Sequence, residues 1–212
     1  LLDAFVKYAP TPLVGKRRAL KTGKGDDVKE TPIEPSQSGE FVAQAFKITS
    51  DPKSNIKYAV MRVHSGTLKG DAQLFAAGDR KGQRPGHPMK LRGQEHQEIE
   101  AASAGDIVAF AKVDLNIGDV VFAKSSEGAI EMPRTPTPMY SLAIEPKTRG
   151  DIEKIGAALA RYAEEDPCFE YHRDSDTNEL VMSGLGDQHL TIIQSRMKRA
   201  FKVEVETKAP KI

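Results

Sequence analysis

The sequence predicts a mixed fold of two domains, a small β-barrel followed by an α+β domain. Three observations predict it. Between Phe41 and Lys124 the apolar residues come in short alternating runs separated by Gly-containing turns. Residues 126–138 carry Pro133, Pro136 and Pro138, the composition of a semi-rigid connector. Beyond them the apolar period changes from two to between three and four, the helical spacing.

Taken in order, residues 1–8 read as a short helix stopped by Pro10 and Pro12, with Leu1, Leu2, Phe5 and Tyr8 on one apolar face. Such a face needs a partner, and an upstream domain would supply it. Residues 15–39, rich in Gly, Pro, Lys, Asp and Glu, read as a linker or exposed loop. Residues 40–125 form the barrel. Its strands are placed at 41–48, 57–64, 72–75, 107–111 and 120–122. Turns at Asp51-Pro52, Ser65-Gly66, Gly70-Asp71, Gly105-Asp106 and Gly118-Asp119 separate them. Residues 78–96 are polar and basic and read as a long loop or irregular hairpin.

In residues 139–212, Met139–Ile144 is a strand. A helix over 150–165 turns Ile152, Ile155, Leu159 and Tyr162 to one side, and Pro167 ends it. A hairpin follows over 168–173 and 179–183. A second helix over 187–201 points Leu190, Ile193, Met197 and Phe201 inward, and 203–206 closes the domain. The order βαββαβ is the ferredoxin-like split unit. At roughly 85 and 75 residues, both domains approach the size where a core is marginal.

Composition narrows the function. Hydrophobic residues are 39% and charged residues 29%, an ordinary globular balance. Net charge is +1 and there is no tryptophan, so a free-standing nucleic-acid binder built on aromatic stacking is excluded, and any RNA contact would be local. Cys168 is the only cysteine, which rules out an internal disulfide and fits a reducing compartment. No apolar run approaches the roughly 20 residues that span a bilayer. The start at Leu1 and the end at Ile212 read as cuts in a longer chain.

Candidate chemistry is sparse. Lys21-Thr22-Gly23-Lys24 has the wrong order for a nucleotide-binding phosphate loop. The five histidines are scattered, so no metal site and no catalytic residue is assigned. Cys168 and His172 could share a strand face as a nucleophile and base. The alternative, a small buried hydrophobe, is preferred. Ser183-Gly184-Leu185-Gly186 reads as a flexible strand-to-helix turn. His189 and Arg196 lie two helical turns apart on one side of the second helix. Glu164-Glu165-Asp166 opposes a helix dipole, at about 0.3–1 kcal/mol for each exposed charge. These acids read either as a tolerated solvated end or as a site for a basic partner. Lys69, Arg80, Lys81, Arg84, Lys90 and Arg92 are candidate RNA contacts, or else a solubilising set.

Several phrases together resemble the elongation factor G family of translational GTPases. In the barrel they are Phe46-Lys47-Ile48, Asp51-Pro52, Arg62-Val63-His64-Ser65-Gly66-Thr67-Leu68-Lys69, Ala104-Gly105-Asp106-Ile107 and Gly118-Asp119. In the second domain they are Ile144-Glu145-Pro146-Lys147, Ala163-Glu164-Glu165-Asp166-Pro167, Ser183-Gly184-Leu185-Gly186, His189-Leu190 and Arg196-Met197-Lys198. Residues 1–14 look like the tail of the family's GTPase domain.

The resemblance implies a fragment covering the translation-factor-type barrel, domain II, and the ferredoxin-like domain III. The parent would use GTP and Mg in the missing domain. It would be a cytoplasmic monomer acting on the ribosome in translocation of tRNA and mRNA, with small-subunit rRNA and ribosomal protein as partners and no membrane. His189, Ile193 and Arg196 carry over as contacts to the switch region of the missing GTPase domain. The basic set Lys69, Arg80, Lys81, Arg84, Lys90 and Arg92 carries over as the rRNA-facing cluster.

Departures bear on the role. The family's Glu-Leu-His-Leu-Glu is here Asp187-Gln188-His189-Leu190-Thr191, the Asp51–Arg62 segment is one residue longer, the Gly82–Glu98 segment lacks much of the usual basic-and-hydrophobic pattern, and residues 13–39 match poorly. A specialised paralogue for ribosome recycling or rescue is therefore the alternative, with a stand-alone ferredoxin-like enzyme the alternative of another class.

Overall fold

The computed structural model describes every residue except Lys16, Lys24, Pro52, Lys53, Asn55, Gln94 and Ile212. Pro52 of the expected Asp51-Pro52 turn lies outside the described residues. The chain divides into two compact units, residues 1–132 and 133–212, each with its own core.

The first unit is built on a seven-stranded antiparallel sheet. In spatial order its strands are Phe75–Ala76, Val120–Phe122, Val42–Ser50, Lys57–Ser65, Ile107–Ala111, Met89–Arg92 and Glu95–Glu98. A ribbon of Thr67–Lys69 with Ala101–Ser103 lies beside it. The inward residues Ala43, Ala45, Ile48, Met61, Val63, Val108 and Phe110 form the barrel core, and most are fully buried.

Two readings are corrected here. Residues 15–39 are not simply a linker. Ala19–Thr22 pairs with Lys29–Pro32 on one side and with Ala129–Ile130 on the other. Leu20, Ile33 and Ile130 then cover the outer face of Val42, Val120 and Phe122. That cover explains why Val120–Phe122 is buried at every position instead of alternating. Gln44, buried among these strands, donates to the carbonyls of Gly118 (3.2 Å) and Ile130 (2.8 Å), so its amide is satisfied. Residues 78–96, expected as a long loop or an irregular hairpin, hold a regular one instead. Met89–Arg92 and Glu95–Glu98 form a regular hairpin whose Met89 and Leu91 cover Tyr58, Val60 and Ala109. Its second strand, Glu95–Glu98, holds no apolar residue and so shows no period of its own.

Val42 pairs with Ser65 and Ala43 with Val63, so His64 is an extra residue, a β-bulge. Its Nε2 is buried without a hydrogen-bond partner. Burial, then the charges of Arg62 and Arg18, lower its pKa from 6.5 to about 4. A depressed histidine leaves the unfolded chain binding the proton first. Stability is therefore expected to fall as pH drops from about 6.5 to 4, by about 2 kcal/mol after discounting for partial exposure, and to level off below. His64→Phe should flatten that limb of a denaturation-versus-pH curve, and an unchanged slope would refute the assignment.

The second unit is a four-stranded antiparallel sheet in the order Glu170–Arg173, Leu180–Gly184, Tyr140–Pro146, Val205–Lys208. Relative to chain order this is 2-3-1-4, the ferredoxin-like arrangement. Helices α2 (Ile152–Glu165) and α3 (Asp187–Phe201) pack on it through Ile155, Leu159, Tyr162, Leu190, Ile193 and Met197. A separate helix, α1 (Leu2–Tyr8), has no buried residue, and its Leu2, Phe5 and Tyr8, with Leu1 before it, are exposed. Among the described residues no helix is long and apolar enough to cross a membrane.

Candidate functional site

The clearest side-chain constellation in the second unit joins the C-terminal end of α2 to α3. Glu165 is nearly buried. Its Oε1 accepts from Arg161 Nε at 3.0 Å and its Oε2 from Arg196 at 2.5 Å. The Arg196 guanidinium also lies over the Tyr162 ring, 4.4 Å from its centroid. Burial raises the Tyr162 pKa against the pull of these cations.

The next residue, Asp166, caps α2, and its carboxylate meets His189 Nε2 at 3.0 Å. The other ring nitrogen, Nδ1, accepts the Leu185 N–H at 3.1 Å. An accepting Nδ1 leaves the proton of a neutral ring on Nε2, which therefore donates to Asp166. His189 thus holds the Ser183–Asp187 turn and the end of α2 at once. The turn is also tight from beneath. A Cβ at Gly184 would lie 2.8 Å from both His189 Nδ1 and Leu190 Cδ2, so the ring and the backbone meet only over glycine.

This arrangement corrects three expectations. His189 and Arg196 turn toward α2 and not freely outward, with side chains 16% and 36% exposed. Ile193 is 1% exposed in the core and presents no surface, as the inward half of the helical pattern requires. Glu165 and Asp166 are neither an idle solvated end nor an open acidic site, because each holds a basic residue of α3. The outward apolar residues are instead Leu185, 48% exposed, and Ile192, 53% exposed. One signal for Ile192 stood in the sequence. Of the adjacent pair Ile192-Ile193, a helix can bury only one.

The remaining candidates scatter. Lys69, Arg80, Lys81, Arg84, Lys90 and Arg92 are all exposed, and none is ion-paired among the described residues. Lys90 and Arg92 project from the face of their hairpin opposite Met89 and Leu91, and Arg92 lies opposite Glu95. Lys69 ends a different strand, and Arg80, Lys81 and Arg84 lie outside the strands. Cys168 is not an activated thiol. Burial and the adjacent Asp166 carboxylate raise its pKa, and His172 lies exposed on the following strand. Of the Lys21–Lys24 segment, Lys24 lies outside the described residues, and the rest does not fit a nucleotide phosphate. Lys21 is tied to Glu30 (3.1 Å) and Glu131 (3.0 Å), and a three-residue 3-10 turn follows instead of a helix.

Comparison with known families decides the lineage. "Elongation factor G domain 2" matches residues 40–124 and "Elongation Factor G, domain III" matches residues 135–209. The chain belongs to the elongation factor G family. It is 33% identical over all 212 residues to an elongation factor G of Rhodopirellula baltica, covering 30% of that protein. A crystal structure of a Thermus thermophilus protein overlays with a TM-score of 0.74 at 30% identity, across 82% of this chain and 26% of the other. The chain thus spans less than a third of the relatives it matches. Both expected domain types, barrel and ferredoxin-like, are those of the elongation factor G family.

Proposed function

We propose that this chain is the ribosome-binding and coupling portion of a GTP-hydrolysing factor that moves tRNA and mRNA through the ribosome. Domain II rests on small-subunit rRNA through some of the exposed set Lys69, Arg80, Lys81, Arg84, Lys90 and Arg92. Domain III passes the nucleotide state of a GTPase domain to the ribosome. GTP and Mg belong to that domain, and the factor works as a cytoplasmic monomer.

The observation carrying this reading is the apolar pair Leu185 and Ile192, exposed on a turn and helix that Glu165 and Asp166 fasten from behind. A rigidly backed apolar pair suits an interdomain contact that forms and breaks with the γ-phosphate. His189 and Arg196 act in it by positioning the turn and α3.

The test uses the full-length parent, measuring GTP hydrolysis with and without ribosomes and tRNA movement in the same reaction. Ribosomes should stimulate hydrolysis and movement should follow. Leu185→Asp with Ile192→Asp should lower the stimulated rate at least about tenfold, about 1.4 kcal/mol, while intrinsic hydrolysis persists. Stimulation without movement would replace translocation by recycling or rescue, the role favoured by the departures at Asp187, Gln188 and Thr191. Absence of stimulation would overturn the ribosomal reading.

A further inference from the structure

We propose that the cleft between residues 10–15, Arg17 and Arg18 on one side and the strand Lys57–Ser65 of the first unit on the other is an anion site that takes a phosphate group. The cleft has a volume of about 340 Å³, and its lining includes Thr11, Arg17, Arg18, Ile33, Arg62 and His64 but no carboxylate. Arg17 is already paired with Glu34 at 2.5 Å. Arg18 and Arg62 have no acid partner among the described residues, and both act electrostatically on His64. The bulge places the His64 ring there, and its Nε2 is buried without a partner.

The buried, unpartnered Nε2 is costly by itself, and the two guanidinium groups act on the ring to oppose its protonation. One anion in the cleft accepts from both guanidinium forks, and its charge favours a protonated His64 ring that the two arginines oppose. Two unpaired guanidinium groups and an imidazole match a tetrahedral dianion better than a carboxylate, which one arginine fork satisfies. The same dianionic chemistry comes from free phosphate or the terminal phosphate of a nucleotide, and an RNA phosphodiester offers the tetrahedral shape with a single charge. The inference stands on the cleft itself and does not depend on the ribosomal reading.

The test titrates the 212-residue chain with sodium sulfate, a tetrahedral dianion of constant charge between about pH 4 and 8, while NMR follows the His64 ring. Sodium chloride at matched ionic strength is the control. Sulfate is expected to lift the His64 midpoint by about one pH unit above chloride, equivalent to about tenfold tighter binding by the protonated form. Arg18→Gln and Arg62→Gln should each weaken sulfate binding at least about fivefold. Arg18 is exposed, so its variant keeps the fold if Arg62→Gln does not.

Inorganic phosphate, a nucleoside monophosphate and a short single-stranded RNA then assign the source. The tightest of them names it, and equal affinities assign the free ion. Equal movement of His64 in chloride would overturn the proposal, as would undiminished binding in both arginine variants. Acetate binding as tightly as sulfate would also overturn it, replacing phosphate by a carboxylate.

Discussion

Gly66→Ala should lower the stability of the barrel by about 4 kcal/mol, a large fraction of what a domain of this size holds. Gly66 follows the strand Lys57–Ser65 with φ at 77°, a left-handed conformation that side chains resist. A Cβ there would stand 2.5 Å from both the Cα and the nitrogen of Phe41 and 2.7 Å from the carbonyl carbon of Glu40. Those are backbone atoms, which cannot rotate away. The glycine is also pinned, its N–H donating to Ser36 at 2.7 Å and its carbonyl accepting from Ala104 at 2.9 Å. Relief would have to move Phe41, which is 4% exposed in the core. Amide hydrogen exchange reads the effect by domain. Protection at Met61, Val108 and Phe110 should fall by a factor of several hundred, about what 4 kcal/mol implies, while Val181 and Leu190 keep theirs. Barrel amides exchanging at the parent rate would refute the argument.

Glu165→Ala should cost domain III about 3 kcal/mol. The carboxylate is almost wholly covered and satisfies two guanidinium groups, Arg161 and Arg196. Without it both cations stay beside aromatic rings, Arg196 over Tyr162 and Arg161 over Phe201, with no counter-charge from Glu165. The Arg196 side chain is 36% exposed and can reach water, which keeps the cost at the low end for a broken buried pair. A double-mutant cycle separates the pair from its surroundings. Arg196→Met in the Glu165→Ala background should recover about 1 kcal/mol, since an apolar side chain on Tyr162 carries no stranded charge. Urea denaturation of the four proteins measures this. A loss below about 0.5 kcal/mol for Glu165→Ala would show that the bridge adds little to stability.

Several elements were legible because their signal is local. Ile155, Leu159 and Tyr162 recur at helical spacing within one segment, and α2 follows from them. Asp187–Phe201 was bounded by an acidic first turn, Lys198 and Arg199 in the last, and an unbroken apolar stripe. The barrel strands Lys57–Ser65 and Ile107–Ala111 likewise declare themselves by their apolar residues. With these elements in order, βαββαβ admits few topologies, and the sheet order 2-3-1-4 is one of them.

Other features have no local signature. Ala129–Ile130 is a strand because Leu20 lies opposite Ile130, far earlier in the chain, and two residues carry no period. Helical spacing put Ile193 inward, but that Glu165 and Asp166 would turn Arg196 and His189 toward α2 has no local sign. His64 belongs to an apparently regular strand until the pairing of Val42 and Ala43 skips it.

By itself the sequence determined the two domain types, the elements with a strong period, and the family resemblance carried by short ordered phrases. Tertiary structure alone decided the partners. It set Glu165 and Asp166 against Arg196 and His189, closed Leu20 and Ile33 onto the barrel, and gathered Arg18, Arg62 and His64 around one cleft. The physical reason is range. Periodicity records which side of an element is dry. Charge pairing and burial depend on what another segment brings to that side, and no local pattern encodes it.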